Sequence, residues 1–396
     1  MLDPAVHADP VPFYRDLLER GPVLWDPYAH TWIVTGHAEA VRVFQDFLSK
    51  RTPTAETFAT MGLPMMRPAA DILADQMMFM DEPGHMRLRA ICSAAFTSRR
   101  IQDLRAKMQT LCDELLSAMR DGEEWDLLAG YCDPLPPIVS AEIIGFPTAD
   151  WERLRNWSNA FGAILGNFHQ NPRDAEAAMT SLAELTEYIE RQMAEQRRRP
   201  REGLLHLLMT MTDDGSALPD PKIVANIIII MVAGTGAMTD FINSSFHMLI
   251  CNPDAMADLR AHPEIMDSAI EELLRMVSPS QMAGRIAPYD TQLGGQSIAE
   301  GDAVMVMIAG ANRDPSVFDE PDRLDLRRCP NRHLAFAWGS HFCFGASLAR
   351  LEARIAFEAL LRQASALRLG SDPLEWRHNI GLRGLVRLPV IPSLRG

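Results

Sequence analysis

The residues with the clearest capacity for chemistry lie in one short stretch, Phe336–Gly345, called here the cysteine loop. An apolar pattern of helical spacing follows it, from Ala346 to about Leu361. Two glycines in the loop permit a tight turn with inward-pointing amide hydrogens, and the start of the helix contributes the positive end of its dipole. These features predict that Cys343, near the end of the loop, is a thiolate.

Aromatic residues make up much of the cysteine loop. We expect them to keep the sulfur dry, which favours a metal ligand over a nucleophile that must meet its substrate. They are Phe336, Trp338, Phe342 and Phe344.

A single thiolate limits which metal centre the loop can hold. Zinc and iron–sulfur sites need three or four side-chain ligands, and the nearest other cysteine, Cys329, lies outside any C-x-x-C spacing. Haem needs fewer, because the porphyrin supplies four of the iron's ligands. The sequence therefore predicts haem iron bound by Cys343, with a buried core cysteine as the alternative.

The cysteine loop resembles the haem-binding signature of the cytochrome P-450 family, F-[GSN]-x-[GD]-x-[HR]-x-C-x-[GA]. It departs from the signature at Ala337, which we expect to be a mild change because alanine is nearly as small as the usual residues. The resemblance covers nearly the whole chain. It implies a mostly α fold with a small β region, a single haem domain over residues 1–396, and haem b bound through Cys343. Phe336 and Gly345 would contact the haem.

A pair of basic side chains, His85 and Arg89, stands four residues apart and so on one face of a predicted helix. By resemblance to the family's H-x-x-x-R element, they would bind the haem propionates through charge-assisted hydrogen bonds. The same resemblance implies further propionate contacts from Arg285 and His341. A solvated basic face is the alternative for the His85–Arg89 pair.

The longest uncharged run of the chain, Ile223–Thr239, follows a helix-start signal at Asp220-Pro221. It is slightly short for a membrane span and contains Asn226, so a buried core helix is predicted. Gly234 and Gly236 are costly inside a helix unless something approaches the backbone. The resemblance implies that this is the haem, with Ala233 and Gly234 in contact.

The same helix resembles the family's distal helix, whose A-G-x-[DE]-T pattern supplies an acid and an alcohol for proton delivery. This chain has Gly236 and Ala237 in those two places, and neither side chain carries a proton to give. The protons must then come from water, from polar groups of the substrate, or from another residue. Asp240 lies three residues beyond Ala237 on nearly the same face and could act through water, the alternative being an ion pair or a solvent-facing carboxylate.

Two further patterns match the family in the last third of the chain. Glu272 and Arg275 match E-x-x-R, and Arg328 lies in a segment that resembles the one supplying a second arginine. They imply a buried structural carboxylate shared by two guanidinium groups. The resemblance also implies apolar substrate contacts at Met65, Met231, Ala237, Met282 and Ala283.

Several local elements must position these residues. Helical spacing appears at Val11 to about Gly21 and at about His37–Phe47, with strand-like alternation at Thr31–Thr35. Prolines and glycines predict a long loop at about Thr52–Ala74, which in the family covers the substrate pocket. Helices broken at Asn171-Pro172 would form the lid, and short strands are expected near Leu382–Val390.

Composition excludes some partners. The formal net charge of −14 speaks against nucleic acid or an anionic membrane as the main partner. Six scattered cysteines show no disulfide framework, and the first residues show neither a signal peptide nor a membrane anchor, so we expect a cytoplasmic protein. A local basic patch is interpreted as a docking site for an acidic, ferredoxin-type electron donor, with a solvated surface as the alternative. The patch comprises Arg99, Arg100, Arg105 and Lys107.

The resemblance implies an oxygen-dependent oxidoreductase that hydroxylates an apolar or aromatic small molecule, in secondary metabolism. The missing acid and alcohol suggest an alternative, the oxidative coupling or ring closure of an aromatic peptide or polyketide precursor. A third class is a haem-dependent binder or sensor that has lost oxygen activation.

Overall fold

The computed structural model describes residues 3–93, 96–166, 172–210 and 217–395. Helices dominate these ranges. The α-helices are α1 (Pro4–Ala8), α2 (Val11–Arg20), α3 (His37–Asp46), α4 (Ala55–Thr60), α5 (Arg67–Ala74), α6 (Gly84–Ser93), α7 (Ser98–Asp103), α8 (Arg105–Leu116), α9 (Leu135–Ile144), α10 (Trp151–Gly166), α11 (Pro172–Arg198), α12 (Leu204–Thr210), α13 (Asp220–Cys251), α14 (Pro253–Ala261), α15 (Met266–Val277), α16 (Ile308–Ala311) and α17 (Ala346–Gln363).

Shorter elements complete the secondary structure of the described ranges. The 3₁₀ turns are Pro64–Met66, Met77–Phe79, Thr148–Asp150, Pro263–Ile265 and Gly339–His341, and Leu128–Cys132 forms a π-helical turn. The strands are β1 (Val23–Asp26), β2 (Thr31–Val34), β3 (Trp125–Asp126), β4 (Ala283–Ile286), β5 (Thr291–Leu293), β6 (Gln296–Ile298), β7 (Ala303–Val306), β8 (Ala364–Leu369) and β9 (Pro389–Leu394).

The chain divides into two compact units. The first comprises Met1–Leu48, Gln102–Asp133 and Ala237–Gly396, and the second comprises Ser49–Ile101 and Pro134–Gly236. Helix α13 begins in the second unit and ends in the first. The boundary of a single domain over residues 1–396 stays a prediction.

All the strands of the described residues belong to the first unit. The largest sheet has the order β1-β2-β7-β4, in which β2 and β7 are parallel and the other pairs are antiparallel. Apolar residues of this sheet and of α3, among them Val34, Phe44 and Val306, form a buried core cluster. Alternation of buried and exposed residues along short strands lets one face pack on this cluster. Strand β4, which carries Arg285, is thereby fixed at the sheet edge.

A second sheet in the first unit has the order β3-β9-β8, and β5 and β6 form a separate hairpin. Strands were predicted near Leu382–Val390. The structure has isolated bridges at Leu382 and Leu385, while the strand itself, β9, begins at Pro389. The prediction therefore placed most of this strand too early in the chain.

The described part of the second unit is helical. Helices α10 and α11 pack together, with the Trp157 indole donating a 2.7 Å hydrogen bond to the Glu184 carboxylate. The predicted break at Asn171-Pro172 falls where α11 begins, at Pro172, while Asn171 lies outside the described residues. Its role as a lid stays a prediction.

The predicted long loop at Thr52–Ala74 is wrong in its secondary structure. This segment forms α4, a 3₁₀ turn and α5. The hydroxyl of Thr54 accepts a 3.1 Å hydrogen bond from the Thr57 amide and so caps α4, and Phe58 and Met66 are buried. Prolines stand at the first turns of the 3₁₀ element and of α5, where a missing amide hydrogen costs nothing.

Helix α13 is the longest helix of the described residues and starts at Asp220, as the sequence predicts. It is long and apolar enough to cross a membrane, but 78% of its most apolar window is buried inside the protein, as in a core helix. Its polar Asn226 is also accounted for. The Asn226 amide donates to the carbonyls of Asp75 and Lys222 at 2.8 and 2.7 Å and accepts from the Met77 amide at 2.8 Å.

Candidate functional site

The cysteine loop has its backbone folded back on itself. The Cys343 amide donates to the Phe336 carbonyl at 3.0 Å, and α17 starts three residues after Cys343. Gly339 has a φ of +74°, and a side chain there would meet the Phe44 carbonyl, so this glycine is required. Gly345 has an ordinary φ of −80° and lies beside the sulfur. Only one of the two glycines therefore makes the turn.

Ala337 departs from the family signature at a position whose backbone conformation favours glycine or asparagine. Its φ is +57°, in the left-handed region that costs an L-residue with a Cβ roughly 1 kcal/mol. We expected the departure to be mild because alanine is small. The cost of alanine at this position comes from the positive φ of the backbone and not from the size of the side chain.

The aromatic residues of the cysteine loop differ in their surroundings. Phe336 and Phe344 are half-buried, but Trp338 and Phe342 are 42% and 37% exposed. The four rings thus differ in exposure, and their role in keeping the sulfur dry stays a prediction. The sulfur-bearing residue Cys343 is itself half-buried.

A charged cluster that the sequence did not reveal packs on Phe336. The Glu271 carboxylate accepts hydrogen bonds from Arg350 at 2.6 and 2.8 Å and lies 3.0 Å from His333 Nε2. The Arg350 guanidinium stacks 4.6 Å from the centre of the Phe336 ring. Burial alone would raise the pKa of Glu271, but the hydrogen bonds from Arg350 and His333 lower it to about 2. The carboxylate is thus ionised at neutral pH.

Glu272, Arg275 and Arg328 are brought together in the first unit. Arg275 donates two 2.8 Å hydrogen bonds to Glu272, and Arg328 Nε lies 3.2 Å from both carboxylate oxygens. The Asp325 amide and the Asn331 side chain each donate another at 3.0 Å. Burial raises the pKa of Glu272, but these partners, Arg275 foremost, bring it below its ordinary value. The cluster is a fully hydrogen-bonded buried charge, suited to a structural role.

Arg285 and His341 also belong to the first unit. Arg285 is 5% exposed, donates to the Gly284 carbonyl at 2.8 Å and places its guanidinium 5.1 Å from the Phe44 ring centre. His341 ends a 3₁₀ turn of the cysteine loop and is half-buried. Met282 and Ala283, predicted to contact substrate, are half-buried and lie directly before Gly284 and Arg285 in the chain.

His85 and Arg89 share one helix, α6, in the second unit. His85 is 2% exposed and its Nδ1 lies 3.3 Å from the Glu82 carboxylate, while Arg89 is half-buried. Neither side chain is part of a fully solvated basic face, which was the alternative. Met65, predicted to contact substrate, is half-buried in a 3₁₀ turn of the same unit.

Gly234 of α13 has a neighbour that the sequence did not indicate. A side chain there would come within 2.8 Å of the Ser140 hydroxyl of α9, so the glycine lets two helices pack closely. Close packing against α9 is one reason for a glycine here, and contact of Gly234 with the haem stays a prediction. The Thr235 hydroxyl bonds the Met231 carbonyl at 2.8 Å, and both residues are fully buried.

The middle of α13 presents a surface of very small residues. Met231 and Val232 are buried, whereas Ala233 is exposed and Gly234, Gly236 and Ala237 are half-buried. No side chain larger than a methyl group stands at these four positions. A surface of this kind fits the flat face of a porphyrin, and the thiol of Cys343 fits its iron, so the residues present suit haem.

Asp240 forms a buried ion pair with Arg377, both in the first unit. Asp240 is 1% exposed, and a side chain at Gly384 would clash with its carboxylate. Burial lowers the pKa of Arg377, although the negative charge of Asp133 opposes this. The ion pair was the alternative to a catalytic role for Asp240, and it is the arrangement that the structure has. The prediction that Asp240 relays protons through water is not supported by these contacts.

Comparison with known proteins identifies the family. The family model described as cytochrome P450 matches residues 148–374, more than half of the chain. The chain belongs to the cytochrome P450 family. It is 36% identical to the cytochrome P450 monooxygenase PikC of Streptomyces venezuelae, over 97% of this chain and 91% of that protein.

Solved cytochrome P450 structures share the fold. P450BioI in complex with an acyl carrier protein carrying hexadec-9Z-enoic acid has a TM-score of 0.91 and 29% identity, covering 99% of this chain and all of that one. CxnD, a cytochrome P450 for C–S bond formation in chuangxinmycin biosynthesis, has a TM-score of 0.84 and 30% identity, with 98% and 95% covered.

Membership of the cytochrome P450 family confirms the predicted mostly α fold with a small β region. The protein is an oxidoreductase that binds haem through a cysteine thiolate. Like its relatives, it acts on small molecules and takes electrons from a redox partner.

Proposed function

We propose that this cytochrome P450 inserts oxygen into an apolar small molecule in a secondary metabolic pathway, by a hydroxylation-type reaction, and that Cys343 is the haem ligand. The observation that carries the proposal is the cysteine loop, in which a half-buried Cys343 precedes the positive end of α17. When bound, haem supplies oxygen activation, which an electron-donating thiolate favours. PikC, a relative, is a monooxygenase.

The remaining haem contacts are assigned by residue type and burial. Phe336 and Gly345 of the cysteine loop, and Ala233 and Gly234 of α13, would be among the residues that contact the haem. Four basic side chains would neutralise the two propionates, a pairing that burial strengthens. They are His85, Arg89, Arg285 and His341.

The substrate is proposed to be apolar or aromatic because the assigned contact residues are apolar. Met65, Met282, Ala283 and Ala237 are half-buried, so part of each remains available for contact. Met231, also predicted to contact substrate, is fully buried among its neighbours, so the structure leaves none of its surface available for that contact. Methionine side chains are flexible and polarisable, which suits a pocket that fits an irregular apolar molecule.

The protons for oxygen activation are proposed to come from water or from polar groups of the substrate. Gly236 and Ala237 offer none, the Thr235 hydroxyl is engaged with the Met231 carbonyl, and Asp240 is paired with Arg377. A proton donor must lie within hydrogen-bond reach of its acceptor, directly or through one water. A substrate hydroxyl or amine next to Ala237 would satisfy this condition.

Restoring the missing pair tests the reaction type. In the Gly236→Glu/Ala237→Thr double variant, product formed per NADPH consumed should rise if the native reaction is hydroxylation. The matched control is Gly236→Gln/Ala237→Val, which has similar volume and no acid or alcohol. A gain in the first variant alone supports the proposal, and no gain or a loss of product argues against it.

The second candidate is oxidative coupling or ring closure of an aromatic peptide or polyketide precursor. The absence of the acid and the alcohol at Gly236 and Ala237 favours it, because removal of hydrogen atoms from a substrate makes less demand on proton delivery. CxnD, a structural neighbour, is named for C–S bond formation. Mass spectrometry of the product separates the candidates, since coupling adds no oxygen atom.

The electron donor is proposed to be an acidic ferredoxin-type protein in the cytoplasm. Arg99 is exposed and Arg100 is half-buried on α7, in a chain of net charge −14. A local positive patch on an acidic protein steers a negatively charged partner more selectively than uniform charge does.

A further inference from the structure

We propose that Arg350, held in place by Glu271, is a positioning residue for the cysteine loop and sets the environment of the Cys343 sulfur through Phe336. This inference rests on the proposed role of Cys343 as haem ligand. It concerns the charged cluster of Glu271, Arg350 and His333, which no part of the proposed function uses.

The first step is the fixed position of Arg350. Its Nε and Nη2 donate to Oε1 and Oε2 of Glu271 at 2.6 and 2.8 Å, a two-pronged contact that leaves the guanidinium little freedom to rotate. Glu271 is on α15 and Arg350 is on α17, the helix that follows the cysteine loop. Two helices therefore hold the charged group.

The second step is the orientation of His333. Its Nδ1 accepts the Ala335 amide hydrogen at 3.2 Å, so Nε2 carries the hydrogen that is donated to Glu271 at 3.0 Å. The His333 side chain is 3% exposed, and its ring centre lies 6.1 Å from that of Phe336. His333 thus links the carboxylate to the chain entering the cysteine loop.

The third step is the contact with Phe336. The Arg350 guanidinium lies 4.6 Å from the ring centre, within the range of an attractive cation–π contact. The Phe336 carbonyl accepts the Cys343 amide hydrogen at 3.0 Å. Phe336 is therefore held at its ring by Arg350 and at its backbone by Cys343, so movement of the ring would disturb the hydrogen bond beside the sulfur.

The charges of the pair add an electrostatic effect. Removal of the Arg350 charge leaves the negative charge of Glu271 uncompensated next to the residues that pack on Phe336, which disfavours addition of an electron to the iron. Removal of the Glu271 charge leaves Arg350 positive and favours it. Opposite shifts of the reduction potential follow from the two substitutions, whereas loss of a merely structural ion pair would give the same sign for both.

Helix α17 provides a matched control in Arg354. Arg354 Nε bonds Glu358 on the same helix at 2.8 Å, and Arg354 Nη1 bonds Asp267 on α15 at 2.5 Å. Arg354 thus also ties α17 to α15, one turn further along, through partners that do not include Phe336. Arg354→Gln therefore removes an ion pair between the same two helices and leaves the contact between Arg350 and the Phe336 ring intact.

The experiment uses the haem-loaded, full-length protein and compares Arg350→Gln, Arg350→Lys, Glu271→Gln and Arg354→Gln. We expect Arg350→Gln to increase several-fold the fraction of the ferrous carbonyl complex that lacks the thiolate-type absorption band. Its reduction potential should shift negative, and that of Glu271→Gln should shift positive. Arg354→Gln should change neither. Arg350→Lys should keep the potential closer to wild type than Arg350→Gln does but still lose part of the thiolate-type band, because lysine lacks the planar two-pronged contact.

A double-variant cycle with Phe336→Leu isolates the stack. If Arg350 acts through the Phe336 ring, Arg350→Gln adds little spectral change once the ring is gone. Equal spectra and potentials for Arg350→Gln and Arg354→Gln overturn the inference, as do fully additive effects in the cycle. If the wild-type protein itself lacks the thiolate-type band, the proposed function fails, and the inference that rests on it fails too.

Discussion

Asp240 and Arg377 form a buried ion pair. Asp240 lies three residues beyond Ala237, and Ala237 occupies the position where the family pattern has an alcohol. In this pair the Asp240 carboxylate faces the Arg377 guanidinium, and Asp240 is 1% exposed. The sequence left an ion pair and a water-mediated proton relay open for Asp240, and the structure has the ion pair.

Substitution of Asp240 by Asn should destabilise the protein. The change leaves the Arg377 charge without its partner, and we expect a loss of about 2 kcal/mol in the free energy of unfolding, below the cost for a fully buried pair since Arg377 is 34% exposed. Urea unfolding measures this loss. Product formed per NADPH consumed should stay near wild type, and a specific fall in that ratio would instead restore Asp240 as a proton relay.

The matched variant for Asp240→Asn is Arg377→Gln, followed by the double variant. Removal of both charges should cost less than the sum of the two single changes, because the second substitution removes a charge that is already unpaired. Strictly additive losses would contradict an ion pair between the two side chains.

Glu352 on α17 predicts a dependence of stability on pH. It is 3% exposed, and its Oε1 has no hydrogen-bond partner among the described residues. Burial raises its pKa from 4.5 to about 8. Between these two values the folded protein keeps a proton that the unfolded chain releases. Stability should therefore fall as pH rises, by about 1.4 kcal/mol per pH unit from this group.

Glu352→Gln should remove this part of the pH dependence, because an amide does not ionise. Unfolding free energies should be measured at several pH values from about 5 to 8. The stability of the variant relative to wild type should increase as pH rises. Glu300→Gln, at an exposed position, is the control. Parallel curves for wild type and Glu352→Gln would contradict the raised pKa.

Ala337→Gly should stabilise the cysteine loop. Glycine accepts the φ of +57° without the steric cost that alanine bears, and the gain is partly offset by the greater freedom of glycine in the unfolded chain. We expect a net gain of about 0.5–1 kcal/mol in the free energy of unfolding. A loss of stability, measured by urea unfolding of the haem-loaded protein, would show that the loop does not need the left-handed conformation.

Charge reversal at Arg99 and Arg100 tests the proposed docking site. The Arg99→Glu/Arg100→Glu variant should be reduced more slowly by an acidic ferredoxin, with the largest loss at low ionic strength. Stopped-flow reduction over a series of salt concentrations measures this. Arg198 and Arg199, also exposed and basic and at the end of α11, provide a control double reversal that leaves the ion pair of Arg197 with Asp220 in place. An unchanged, salt-independent rate in the Arg99/Arg100 variant would remove the docking proposal.

The sequence predicts those parts of the fold and site that depend on neighbouring residues. The helix start at Asp220, strand β2 and helix α3 follow from caps and periodicity within a few residues. The cysteine loop is likewise contiguous, so its pattern could be recognised whole. The helices within Thr52–Ala74 were missed because short helices between prolines carry too few turns to show a period.

The sequence does not predict contacts between residues far apart in the chain. Arg350 meets Glu271, and Asp240 meets Arg377, only because the fold brings separate elements together. Several arginines were candidates for each carboxylate, and spacing does not choose among them. The role of Gly234 shows the same limit, since its neighbour Ser140 comes from another helix.

The absorption spectrum of the ferrous carbonyl complex tests the central claim most directly. With Cys343 bound to the iron as a thiolate, the purified wild-type protein should show the long-wavelength band typical of cytochrome P450 enzymes, and Cys343→Ser should lose it while Cys329→Ser keeps it. A wild-type spectrum of the imidazole-ligated type, or a band that survives in Cys343→Ser, would contradict the account.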